Sequence, residues 1–247
     1  MDAARDLALL DQIDVVRRPL ADGDSYIALR RPTDFLEPRF EAWREAVVAA
    51  SSSAFGSDMS AVWVKRFGGD FFLNLHRFVL VFDANDQLIG SGGYRARTIL
   101  GQRAVYFESS SVIPSHRGHG VVGQLQLDAL AVESASSGLP VQLVFRTRNP
   151  VAFSITLRRF GDLVTPDLTG AVPHESQEFF AAAGEWLHFN GLDPATGRDV
   201  GAYDGRPPLY PVGEEPMSTN EKVNKFIAQL GPADGLMVCV GPDAHTH

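Results

Sequence analysis

Val112-Ile113-Pro114-Ser115-His116-Arg117-Gly118-His119-Gly120-Val121-Val122-Gly123-Gln124-Leu125 is the stretch that decides how the chain is read. Upstream, Val105 to Ile113 has the composition of a strand. Downstream, Val121, Leu125, Ala129 and Val132 recur at spacings of four, four and three, an apolar stripe on a helix that Gly138 and Pro140 stop. The segment is therefore strand, turn, helix. The first turn of a helix leaves backbone N–H groups unpaired and carries positive partial charge. Gly118, Gly120 and Gly123 let the backbone approach an anion closely, and Arg117 adds a permanent charge with several donors. A turn of this kind suits a pyrophosphate.

Working outward, Ser25 to Leu29 reads as a first strand, and Phe35 to Ala50 has helical periodicity with Phe40, Trp43 and Val47 on one face. A second helix is expected over 60–67. Phe78-Val79-Leu80-Val81-Phe82 is a strand, Asp83-Ala84-Asn85-Asp86 its turn, and Leu88 onward the returning strand. After the central helix, Val141 to Phe145 is a short strand and Pro150 to Phe160 a helix closed by Gly161. The fold class expected is α/β, a mixed sheet with covering helices. Residues 1–20 are expected to form an N-terminal arm and 21–165 the core. Residues 166–247 are rich in Gly and Pro, yet Ser218 and Glu221 make a capping-box pattern. Val223, Phe226, Ile227 and Leu230 form a stripe ended by Gly231, and Leu236 to Val240 is a strand. This region is expected to be a C-terminal α/β extension packed on the core.

The composition narrows the function. Hydrophobic residues are 45% and charged residues 21% of 247, as in a folded globular protein. No apolar run reaches the roughly 18 residues that span a bilayer, so no membrane role is expected. The acidic opening Met1-Asp2-Ala3-Ala4-Arg5-Asp6 does not resemble a secretory signal. The single cysteine, Cys239, leaves no intrachain disulfide and no Cys-rich metal site. Together these favour a cytoplasmic protein, monomer or homodimer. The net charge of −8 disfavours general nucleic-acid binding. Holding a polyanionic ligand then needs a local device, which the Arg117–Gly123 turn supplies. No metal site is expected: His245 and His247 form no convincing ligand set.

Gly118-His119-Gly120-Val121-Val122-Gly123 also matches the dinucleotide fingerprint G-x-G-x-x-G. In that fingerprint the glycines directly follow the strand and an acidic residue ends the next one. Here Pro-Ser-His-Arg intervenes, and the next strand ends Arg146-Thr147-Arg148-Asn149, arginines that could suit a 2′-phosphate.

The segment more closely resembles the cofactor motif of the GNAT acyltransferase superfamily, V-x-P-x-x-R-G-x-G-[VI]-[GA]-x-x-L. Val112, Pro114, Arg117, Gly118, Gly120, Val121 and Leu125 match it in register, and Val122 departs from the usual Gly or Ala. Asn149, Ala152 and Gly161 resemble the family's later N-x-x-A motif, with Gly161 one residue late. The resemblance covers about residues 21–165. It implies a GNAT-like splayed central sheet, and acetyl-CoA or another acyl-CoA as co-substrate. Backbone near Ser111, Val112 and Ile113 would hold the pantetheine arm. Arg117, Gly118, His119, Gly120, Val121, Val122 and Gly123 would hold the pyrophosphate, and Asn149 would lie near the cofactor arm. The implied activity is transfer of an acyl group to the amine of a small molecule. A longer acyl-CoA, an acyl carrier protein or an aminoacyl-tRNA as donor, or an inactive acyl-CoA-binding module, stays open beside it.

Direct transfer requires a base for the amine, stabilisation of the oxyanion and a proton for the leaving thiolate. Strand alternation places Glu108, Ser110 and Val112 on one face. The family often carries a carboxylate here, so Glu108 is the candidate base, with an ion pair to Arg95 or Arg97 as its structural alternative. The family's usual acid is a tyrosine seven residues after the asparagine, where this chain has Thr156. Tyr106, Tyr203, Tyr210 or water could replace it.

Overall fold

The computed structural model describes residues 3–204 and 215–242. Tyr210, His245 and His247 lie outside them. The described residues form eight α-helices and nine strands. In chain order these are α1 (Ala3–Leu10), β1 (Val15–Pro19), β2 (Ser25–Leu29), α2 (Glu41–Phe55), α3 (Ser60–Gly68), α4 (Phe71–Asn74), β3 (Arg77–Phe82), β4 (Leu88–Ile99) and β5 (Gln102–Val112). They continue with α5 (Val121–Ser137), β6 (Val141–Thr147), α6 (Pro150–Phe160), β7 (Val164–Thr165), α7 (His174–Leu187), β8 (Arg198–Asp199), α8 (Glu221–Ile227) and β9 (Gly235–Val240). The fold is α/β, and the strand pairs β1–β2, β2–β3, β3–β4, β6–β9, β7–β9 and β8–β9 are antiparallel.

Contacts divide the chain into two compact units: residues 1–96 with 107–126, and residues 97–106 with 127–247. The β4–β5 hairpin and α5 run through both. In the first unit the strand order is β1-β2-β3-β4-β5. The stretch read as an arm, 1–20, holds α1 and a strand, with Val15 to Pro19 opposite Leu29 to Ser25. β2 falls where its apolar run placed it. The helix expected over 35–50 begins instead at Glu41, after two short 3-10 turns at Pro32–Leu36 and Pro38–Phe40. Proline fixes φ and lacks an N–H, so Pro32 and Pro38 suit the starts of separate turns and not the inside of one helix.

An aromatic cluster packs these pieces on β3. Phe72 lies 5.0 Å from Phe78 and 5.1 Å from Phe71, and Phe35 lies 5.1 Å from Phe78. Phe35, Phe72 and Phe78 are buried, as is Trp63 beside them. Each such side chain contributes on the order of 1.5–3 kcal/mol through burial, which holds the 3-10 turn at Pro32–Leu36, α3 and α4 against β3.

In the second unit, residues 102–106 of β5 are followed in strand order by β6, β9 and β7, with β8 also on β9. The segment 166–247 thus contributes a strand inserted between two strands of the expected core. Its own core unites Tyr106, Val144, Phe179, Phe180, Leu187, Met237 and Cys239. The helix near 218–231 is shorter than its stripe, Glu221–Ile227, and its cap differs from the expected capping box. Asn220 Oδ1 accepts from the Lys222 N–H, and Ser218 Oγ accepts from the Asn220 N–H. Asn is as good a cap as Ser, and here it stands adjacent to the first helical residue.

Candidate functional site

The strands that carry the site approach each other closely because β4 reads Leu88-Ile89-Gly90-Ser91-Gly92-Gly93. A Cβ on Gly90 would stand 2.5 Å from the Ser111 carbonyl oxygen, and one on Gly92 would stand 2.8 Å from Ser110 Oγ. Inside β5, Ser109 has φ 61°, a left-handed conformation that interrupts strand alternation as a bulge does. The interruption changes which side chains share a face. Ser110 and Val112 lie on the side of Gly90 and Gly92, whereas Glu108 reaches Arg95, which alternation puts on the opposite side of β4. Ser111 takes Glu108's side, its hydroxyl 3.5 Å from Ser51 Oγ on α2. The expected common face for Glu108, Ser110 and Val112 is therefore corrected: the bulge at Ser109 sets Glu108 on the Arg95 side of the hairpin, opposite the Val112 face.

Glu108 Oε2 lies 2.8 Å from Arg95 Nη2, with side chains 22% and 21% exposed. The contact is an ion pair without hydrogen-bond angles, since Oε2 and Arg95 Nε are both buried with no hydrogen-bond partner. The hydroxyls of Ser91, Ser109 and Ser110 are buried in the same condition. Arg97, the other cation weighed beside Glu108, is exposed and belongs to the second unit.

Beyond Val112 the chain turns. Ile113 N–H donates to the Ile89 carbonyl at 2.9 Å, ending the pairing with β4. Alternation of the ladder turns the Val112 N–H and C=O the other way. Pro114–His116 forms one 3-10 turn, followed by Gly118 at φ 89° and Gly120 at φ 74°. Both values favour glycine. A Cβ at either position would meet nothing within 4 Å, so the space over the turn is open. The first helical bond of α5 runs from Gln124 N–H to the Gly120 carbonyl at 2.9 Å, so the N–H groups of Val121, Val122 and Gly123 have no intrahelical partner. The 3-10 turn separates strand from glycines, unlike the dinucleotide fingerprint, where they adjoin.

Arg117 is exposed, and one of its guanidinium donors bonds the Ala54 carbonyl in the last turn of α2, which ties the turn to that helix. His119 Nδ1 lies 3.6 Å from Asp22 Oδ2, and the His116 and His119 rings are 5.9 Å apart. Asp22, at φ 57°, carried no signal in the sequence that linked it to this turn.

Asn149 lies in the second unit, where its Oδ1 caps α6 by accepting from the Val151 and Ala152 N–H groups at 2.9 and 3.2 Å. Thr156 is buried, and its hydroxyl donates to the Ala152 carbonyl at 3.0 Å. Tyr106 packs edge-on to Phe189, and Tyr203 lies beneath the Arg146 guanidinium, which is 4.3 Å from the Phe189 ring and 2.6 Å from Asp199. Burial acts to lower the Arg146 pKa, but Tyr106, the bond to Asp199 and Tyr203 outweigh it and hold it above the ordinary value. Full burial pushes the Cys239 thiol far up, which keeps it protonated and unreactive at neutral pH. Among the described residues no cluster of His, Cys, Asp and Glu could hold a metal ion, and no helix is long and apolar enough to cross a membrane.

Solved N-acetyltransferases are partly similar to this chain, at low identity. A GNAT-family N-acetyltransferase from Escherichia coli in complex with CoA is 21% identical, over 41% of this chain and 56% of its own length, at a TM-score of 0.32. An N-acetyltransferase from Thermoplasma acidophilum in complex with coenzyme A is 16% identical, over 59% and 88%, at 0.36. A ribosomal-protein-S5-alanine acetyltransferase from Vibrio fischeri is 12% identical, over 59% and 82%, at 0.39. The chain thus spans little more than half the length of the first of these. No protein-family profile matches the sequence, and no curated protein matches it.

Proposed function

We propose that the protein is a CoA-dependent acyltransferase that moves an acetyl or other acyl group directly onto the amine of a small molecule. The observation that carries this reading is the turn before α5. Two glycines in left-handed conformations leave open space beside three helix-start N–H groups, with the exposed Arg117 alongside. The pyrophosphate of CoA fits such a cradle because backbone donors, helix dipole and guanidinium all favour an anion there. The Val112 peptide, turned away from β4, suits the amide groups of the pantetheine arm.

Glu108 then takes the proton of the acceptor's ammonium, directly or through a water. The freed nitrogen attacks the thioester carbon, the C–S bond breaks as the amide forms, and the second proton that the nitrogen sheds is the one available, through water, to the departing thiolate. The thiolate leaves as an anion and takes up a proton. Thr156, with its hydroxyl committed to Ala152, is poorly placed to supply that proton, which leaves water, Tyr106, Tyr203 or Tyr210 as its immediate source. The same observation favours a second reading, an acyl-CoA-binding module that does not turn over.

One experiment separates the two readings. Calorimetry with CoA, acetyl-CoA, longer acyl-CoAs and NADP tests the cradle, and thiol release from acetyl-CoA in the presence of a panel of primary amines tests the chemistry. Binding with turnover supports the enzyme. Binding without turnover supports the module. NADP binding in place of CoA sinks both.

A further inference from the structure

We propose that Arg95 is the positioning residue for Glu108, holding one carboxylate oxygen so that the other faces the acceptor's nitrogen. The inference rests on the reading of Glu108 as the base and extends it. Arg95 and Glu108 meet across β4 and β5 with Nη2 2.8 Å from Oε2, each side chain about four-fifths covered. Among the described residues this is the salt bridge that Glu108 makes. The neighbouring hydroxyls of Ser91, Ser109 and Ser110 make no hydrogen bond to it or to anything else. The bulge at Ser109 has already set Glu108 on the Arg95 side of the hairpin, opposite the Val112 face. A glutamate has three rotatable bonds, and freezing them needs a partner.

A partly exposed pair of this kind contributes little net stability. Its distinguishing effect is orientation. With Oε2 turned inward on the guanidinium, Oε1 is the oxygen left to accept a proton. Proton transfer depends on hydrogen-bond reach between base and nitrogen, and small misplacements of a catalytic group cost rate.

The test is a double-mutant cycle on the full chain, with acetyl-CoA as donor and methylamine as acceptor, since methylamine is small enough to enter any amine site and is protonated near neutral pH. Single-turnover rate, CoA affinity by calorimetry and melting temperature are read on each preparation. Arg95→Met is expected to lower the rate ~10- to 100-fold with CoA affinity unchanged, and Arg95→Lys to recover part of that loss. Glu108→Gln in the Arg95→Met background should be no slower than Glu108→Gln alone, because the positioned group is already gone. Multiplying losses in the double variant, or a wild-type rate in Arg95→Met, overturns the positioning role while leaving Glu108 as base. A wild-type rate in Glu108→Gln overturns the base and the positioning role together. So does a wild-type protein that releases no CoA with methylamine or with any amine of the panel. Where Arg95→Met fails to fold, Arg95→Lys and Arg95→Gln complete the cycle.

Discussion

Gly120 is the position where a single Cβ discriminates most sharply between a ligand-binding turn and a merely tight one. It holds φ 74° and is the residue before α5, and a Cβ added there would meet no protein atom within 4 Å. The cost of Gly120→Val to the folded protein is therefore backbone strain alone, about 1–2 kcal/mol for an L-residue held in the left-handed region. For a chain of this size that corresponds to a fall in melting temperature of roughly 2–8 °C. The cost to a bound pyrophosphate is separate, since the new side chain occupies the open space over the Val121, Val122 and Gly123 N–H groups. Losing one or two charge-assisted bonds of about 1.5–3 kcal/mol each weakens CoA ten-fold or more, at about 1.4 kcal/mol per decade. Gly101 supplies the control. It also holds φ 74° with nothing within 4 Å of a Cβ, but it lies in the β4–β5 turn. Gly101→Val should lower the melting temperature by a similar amount and leave the calorimetric affinity for CoA untouched. Equal CoA affinity in the two variants would refute the placement of the pyrophosphate on this turn.

Removing residues 217–247 deletes α8 and β9 and leaves β6 and β7 without the strand between them, so the truncated protein should melt lower or fall insoluble. A full-length melting temperature would contradict this. The Asp234 carboxyl is held below its ordinary value of 3.8 chiefly by the Gly201 N–H, against burial, with further help from Arg198 and the Gly231 N–H. A depressed pKa means that the unfolded chain binds the proton more readily. The stabilisation is therefore complete above the ordinary value and lost as the pH falls through the folded one. Asp234→Asn should accordingly lower urea stability at pH 7 and narrow the gap between pH 7 and pH 3. An unchanged gap would sink the assignment. Cys239, fully buried with its thiol pKa pushed up, should resist an aromatic disulfide reagent in the native protein and react once it is unfolded in urea, and fast native labelling would contradict its burial.

What could be read from sequence was local. The Pro114–Leu125 segment was legible because glycine conformations and a helix start are decided within a few residues, and α6 because Asn149 and Pro150 form a self-contained cap. Phe35 to Ala50 was legible as apolar periodicity but not in its start, since Pro38 opens a separate 3-10 turn inside a stretch that periodicity alone runs together. The bulge at Ser109 was invisible. A run of Glu-Ser-Ser-Ser carries no hydrophobic contrast to report a change of phase. The Arg95 contact could be proposed as one of two candidates, because strand neighbours are guessable. Choosing between Arg95 and Arg97 needed the fold. The seat of β9 was beyond reach for the same reason, since Leu236 to Val240 announces a strand but not its neighbours.

That seat has a consequence for how the protein is made. β9 pairs along β6 from Leu143 to Thr147 and, on its other side, with β7 at Val164 and Thr165. During synthesis β6 and β7 emerge about ninety and about seventy residues, respectively, ahead of the strand that joins them. For that interval each presents an unpaired edge, the kind of surface on which a nascent chain recruits a wrong partner. Translation speed over 166–234 and the presence of a holdase should therefore affect the yield of native protein more than they affect its final stability.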